Sequence, residues 1–91
     1  MNEPKYRLVE VEWFDAQSGF GQAEPIEEFV NTVELLHTFS TGYLLHEDKE
    51  KVIIGLMIFG GDMLKHSQII PRGMIKKITQ LNRGKKYNGN V

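Results

Sequence analysis

Cysteine is absent from this chain, and so is every acidic residue beyond Asp62. The first absence excludes disulfides, thiolate metal sites and thiol nucleophiles together. It leaves the redox compartment open, although a secreted domain this small ordinarily needs staples. The second absence divides a chain of net charge −1 into two unlike parts. Residues 1–64 carry twelve acidic and four basic side chains; residues 65–91 carry seven basic and no acidic ones. Such a split marks a bipolar surface, a basic tail for an anionic partner, or two segments that pair within the fold, and the sequence is compatible with all three. Long apolar runs are missing too. Nothing approaches the roughly 18 apolar residues of a membrane-spanning helix, and MNEPKYRLVEVEW has neither the basic start nor the apolar centre of a leader. The expectation is a soluble intracellular protein without membrane association.

What is present describes an ordinary small globular domain. A chain of 91 residues, 41% hydrophobic and 25% charged, has room for one domain with one small core. Folding would bury about 65% of the surface that the unfolded chain exposes, too little to wall a large catalytic cleft.

Tyr6–Phe14 reads as the first strand, because Val9, Val11 and Trp13 alternate with Glu10, Glu12 and Phe14, which puts Trp13 in the core. Asp15–Glu24 is a loop rich in turn formers. A helix of about two turns follows, with Pro25 at its first position, Glu27 and Glu28 in the first turn, and Ile26, Phe29 and Val30 on one face. Leu35–His46 is a second strand, with Gly42 where a bulge or sharp bend would sit. EDKEK at 47–51 is a charged hairpin turn, Val52–Phe59 a strand apolar on both parities, and Gly60-Gly61-Asp62 another turn. His66–Ile70 is a fourth strand and Pro71–Met74 one tight turn. Residues 75–81 fit a strand through Ile75 and Ile78, and equally a helical stripe through Met74, Ile78 and Leu81.

Together these elements predict a mainly β fold: a small, strongly bent antiparallel barrel of SH3-like or Sm-like kind with one short helix. A β+α sandwich is the alternative if 74–81 is helical. Residues 1–5 form an N-terminal extension, 6–81 a single β-barrel-like domain, and 82–91 a flexible basic tail.

Three runs carry a family resemblance: VEWFDAQS, STGYLLHEDKEKVII and IPRGMIKKITQL, in that order and spacing. They resemble a group of small uncharacterised phage proteins with an early V-x-W-x-D-[AS]-x-S, a central [ST]-x-G-[YW]-L-x-x-E and a closing I-P-[RK]-G-[MC]-[IV]-K-x-[IV]. The matching positions are Val11, Trp13, Asp15 and Ser18; Ser40, Gly42, Tyr43, Leu44 and Glu47; and Ile70 to Lys76 with Ile78. Phe20 stands where a Trp often follows the early loop, and the Lys85-Lys86 tail is outside the pattern. The resemblance implies a viral origin and a strand for the last element. It implies no reaction, catalytic residue or cofactor.

Candidate chemistry is sparse. His37, His46 and His66 lack the spacing of a metal site, and Glu47 and Asp48 beside His46 fit a solvated turn, so no metal is expected. Asp15 and Ser18 have no base spaced to activate a nucleophile, and the expectation is that the protein is not an enzyme. Ser18–Gly21 has the glycines of a phosphate nest, but Asp15 and Glu24 oppose an anion there. Arg72 and Lys76, with Lys77 nearby, are better anion ligands, with Phe39 or Tyr43 stacking on a base. The competing reading pairs these cations with Glu10 and Glu12 on a solvated strand face. Ile53, Met57 and Phe59 share the second apolar parity of the third strand and form the candidate oligomer interface, unless the short helix covers them.

The functional expectation is a non-enzymatic phage binding protein, a homo-oligomer in the cytoplasm of the infected host cell. It would serve anti-defence by sequestering a small anionic ligand such as a nucleotide-derived immune signal, with no cofactor. An inhibitor docking on a host protein through the acidic face (Glu10, Glu12, Asp15, Glu24, Glu27, Glu28) is the alternative. A nucleic-acid binder of Sm-like type is a third, weakened by the net charge.

Overall fold

A computed structural model describes residues 5–16 and 23–89. Strand β1 (Leu8–Asp15) is followed by helix α1 (Ile26–Thr32), β2 (Leu36–Glu47), β3 (Lys51–Phe59) and β4 (Met63–Pro71). A single 3₁₀ turn (Arg72–Met74) then leads into β5 (Ile75–Gln80). The strands form one antiparallel sheet in the order β4-β3-β2-β1-β5.

The two outermost strands of this sheet are joined by three residues. In a flat sheet they would lie four steps of about 4.8 Å apart, whereas a 3₁₀ turn of that length reaches about 6 Å. The sheet therefore curls at this end, and the Arg72 N–H fastens the turn by donating to the Glu50 carbonyl at 2.8 Å. Inside the curl lies the core: Val9, Val11 and Trp13 of β1, Val52 and Ile54 of β3 and Ile70 of β4, flanked by Leu44, Met74, Ile75 and Ile78. The period-two pattern of β1 carries through, with Trp13 only 4% exposed.

The barrel expected from the sequence is not closed. Strand β4 pairs with β3 alone and β5 with β1 alone, so curling brings the edges toward each other without a ladder between them. The ambiguity at 75–81 resolves as strand, since β1 offers a complete partner from Val9↔Gln80 to Trp13↔Ile75, with a bulge beside Glu12. Helix α1 begins at Ile26 with Pro25 as its extended N-cap, one residue later than the sequence suggests, and it is no lid. At seven residues it buries no side chain, and Ile26 is 82% exposed.

The bend expected at Gly42 is elsewhere. The β2–β3 register slips at Leu45, between Leu44 and His46. Gly42 is glycine for another reason: a Cβ there would lie 2.7 Å from the Gly55 carbonyl oxygen, closer than real contacts come. Gly55 lies beneath the Leu64 and Leu45 side-chain methyls, which a Cβ there would push aside. The close approach of Gly42 to the Gly55 carbonyl pins β2 to β3 at one point.

Candidate functional site

From that pinned point the sheet forks. Residues Leu36–Tyr43 of β2 pair with β1, whereas pairing with β3 is confined to Tyr43–Glu47 against Val52–Gly55. Beyond Gly55, β3 pairs only with β4, through Phe59↔Met63. The β3–β4 hairpin thus leaves the body as an arm, turned by Gly60 and Gly61 at φ 61° and 85°. Between arm and body is a cleft of about 290 Å³, lined by Ser40 and Thr41 on one wall and Gly55, Leu56 and His66 among others on the opposite wall.

The arm is apolar and uncovered. Ile53 is half-buried near its root, Met57 is 47% exposed, and Phe59 is exposed on the same parity. Strand β4 enlarges the patch, with Ile69 opposite Ile53 and Met63 opposite Phe59. Leu56, on the other parity, is 64% exposed, and Leu64 beyond the turn is exposed as well. Met63, Leu64 and Ile69 are absent from the interface read off the sequence. A strand begun at His66 omits the first two, although Met-Leu directly after a Gly-Gly-Asp turn is itself a signal of a longer hairpin.

The four ligand candidates do not form one site. The Arg72 guanidinium lies 3.5 Å from the Glu47 carboxylate beside the β2–β3 turn. The ring of Tyr43 carries the Arg83 guanidinium at 5.8 Å. Phe39 and Lys76 do converge, on Glu12. Phe39 is the register partner of Glu12, and Lys76 Nζ is 3.6 Å from Glu12 Oε2. His37 Nε2 donates to the same oxygen at 2.7 Å. The imidazole stacks on Phe14 with centroids 5.0 Å apart and tilts against Phe39 at 4.8 Å. The hydrogen bond from His37, with the nearby Lys76 charge adding to it, holds the Glu12 carboxyl below its ordinary range despite partial desolvation. This surface offers planar rings for stacking, a carboxylate acceptor and a cation. The competing reading, cations paired with the β1 acids, is realised here only by Lys76 with Glu12.

The remaining histidines are apart from this cluster. His46 donates to Asp48 Oδ2 at 2.8 Å, and among the described residues no three His, Asp or Glu side chains gather as metal ligands do. Ser18, of the Asp15/Ser18 pair, and the Ser18–Gly21 nest lie outside the described residues. No helix among the described residues is long and apolar enough to cross a membrane.

Asp48 organises the EDKEK turn. Its Oδ1 accepts from the backbone N–H groups of Glu50 and Lys51 at 2.8 and 2.9 Å, and Oδ2 receives the Lys51 ammonium at 3.0 Å. The His46 hydrogen bond first, and those backbone bonds next, hold its carboxyl far below the usual range. A depressed folded-state pKa gives stability that is present above the unfolded value near about 4 and is lost as the pH falls through the folded one. Asp48→Ala is therefore expected to melt below the wild type at pH 7, with the gap narrowing as the pH drops below about 4. Paired melting curves across that range check it.

With the geometry in place, no family model, curated protein or solved structure matches the chain.

Proposed function

We propose that this chain is a non-enzymatic binding protein that acts as a homo-oligomer, and that its ligand is a small anionic molecule with a planar ring. The observation that carries the reading is the uncovered apolar arm. A folded monomer of this mass exposes roughly 5400 Å², and this chain exposes 7857 Å², about 2400 Å² more. Its radius of gyration is 17.5 Å, where about 12 Å is usual for this length. Polar chain after Leu81 accounts for part of the excess. The apolar share comes from Leu56, Met57, Phe59, Met63 and Leu64 of the arm and from Ile26, Val30, Val33, Leu35 and Leu36 around helix α1.

Five antiparallel strands in the order β4-β3-β2-β1-β5, with one 3₁₀ turn before the last, support the reading of an SH3-like or Sm-like barrel opened along the fork. The three motif runs that resemble small phage proteins support a viral setting, in the cytoplasm of an infected cell. There a ring-stacking, cation-bearing surface would serve to sequester a nucleotide-derived immune signal. Phe39 and Lys76, joined by His37 and Phe14, are the residues for that role; Arg72 and Tyr43 are engaged elsewhere.

Native mass spectrometry of protein purified from infected cells tests both halves together. A multiple of the 10.5 kDa chain carrying a retained small molecule is the expected result. A bare monomer contradicts the reading, and a monomer bound to a host protein would favour the inhibitor alternative.

A thermal-shift screen of cyclic dinucleotides, cyclic mononucleotides and NAD-derived cyclic molecules tests the ligand class. Saturation at about 100 times the dissociation constant adds ~2.7 kcal/mol per site, on the order of 10 °C or more for a domain this small. Phe39→Ala and Lys76→Ala are expected to remove most of the shift, and Arg72→Ala to leave it in place. The reverse pattern would move the site to the β2–β3 turn.

A further inference from the structure

Two backbone edges in this sheet are unguarded, and they face each other. Exposed edges in soluble proteins carry charges or proline that deter pairing. The outer edges here follow that rule, with Lys65 and Pro71 on β4 and Lys76 and Lys77 on β5. The fork edges do not: LHTFST at 36–41 of β2 and LMIF at 56–59 of β3 contain no Asp, Glu, Lys, Arg or Pro. Among the described residues, the backbone groups that point into the cleft between them have no strand partner.

We infer that the fork receives the arm of a second copy, whose β3 edge adds to the free β2 edge while its own fork receives the first arm in return. This deepens the homo-oligomer reading by naming where the copies meet. Closing the fork on its own arm would satisfy the two edges but would leave Met57, Phe59 and Met63 facing water. An exchanged arm is covered on both faces, by the partner's body on one and the partner's arm on the other. The body supplies an apolar wall, since Val33 and Leu35 between α1 and β2 and Leu36 at the start of β2 are also uncovered. A stable interface removes about 1,600 Å² from water in total, about 800 Å² per copy, and the exposed Leu56, Met57, Phe59, Met63 and Leu64 of the arm with Val33, Leu35 and Leu36 of the body are the apolar surface each copy brings to it. A reciprocal exchange is isologous and closes as a two-fold dimer.

The absence of native cysteine makes the test clean. Extending the Tyr43↔Gly55 and Leu44↔Ile54 register outward sets Thr41 opposite Met57, within the reach of a disulfide. Thr41→Cys and Met57→Cys proteins, one carrying a mass tag, are refolded together and oxidised. The expected product is a tagged–untagged covalent dimer, at twice the 10.5 kDa chain mass. A double variant that oxidises only within one chain overturns the inference in favour of self-closure. An assembled protein that yields no cross-link overturns it while sparing the homo-oligomer reading, and a monomeric wild type removes both. Deuterium exchange of the unaltered protein covers the case of misfolded variants. Slow exchange of the cleft-facing amides in 36–41 and 56–59 at high concentration, speeding on dilution, is expected; fast exchange at every concentration contradicts the inference.

Discussion

Trp13→Ala is expected to destabilise the domain by about 3–5 kcal/mol, the cost of deleting a large buried side chain and leaving a cavity. The side chain is 4% exposed and central to the β1 face that carries Val9 and Val11. Its backbone lies between Thr38 of β2 and Ile75 of β5, so the loss is felt on both sides of β1. The indole also donates from Nε1 to Ser40 Oγ at 3.0 Å, at the base of the fork. Among the described residues six make up the buried core, and none of the other five is as large as Trp13. Domains of this kind hold about 5–15 kcal/mol in all. Urea unfolding at one fixed protein concentration measures the effect, since assembly makes apparent stability depend on concentration. A variant within about 1 kcal/mol of wild type would show that the ring contributes little to the core.

Elements fixed by local pattern were legible in the sequence. Val9, Val11 and Trp13 alternate without interruption, and Pro71–Met74 reads as a tight turn because proline and glycine leave few other conformations. The fate of 75–80 was not legible, because the Ile75/Ile78 and Met74/Ile78/Leu81 patterns fit two periods equally. Pairing with β1, more than sixty residues earlier, decided it. Gly42 signalled a special backbone position, but a bulge and a close approach demand the same residue. The carbonyl of Gly55, which makes the distinction, is distant in sequence.

The charge split has a similar lesson. Arg72 meets Glu47 and Lys76 meets Glu12, so at two points the basic segment pairs with the acidic one within the fold. Those long-range partners divide a set of cations that looks contiguous in IPRGMIKK. His37 and Phe14 belong to the surviving cluster and were not singled out as ligands, although Phe14 and His37 are direct register partners once β1 and β2 pair. The apolarity of 52–59 on both parities was legible as an excess. Its geometric form, an arm beside an open fork, was not, because it depends on β2 leaving β3 at Gly42.

Met57→Glu is expected to dissociate the assembly without unfolding the subunit. Met57 is 47% exposed and shares its parity with Ile53 and Phe59. Its register partner is Lys65, so glutamate gains an opposite-charge cross-strand neighbour and the hairpin keeps its local support. Lysine would set like charges opposite each other and confuse dissociation with local destabilisation. Between copies the carboxylate and the Lys65 ammonium opposite it would be taken out of water together, a desolvation cost of several kcal/mol that the wild-type methionine does not carry. Circular dichroism of the variant should match the wild type.

Light scattering on the wild type and Met57→Glu at tens of micromolar is the most direct measurement. A wild-type molar mass at twice the 10.5 kDa chain or a higher multiple, falling to 10.5 kDa in the variant, is the predicted result. A wild type that scatters as a 10.5 kDa monomer would contradict the account.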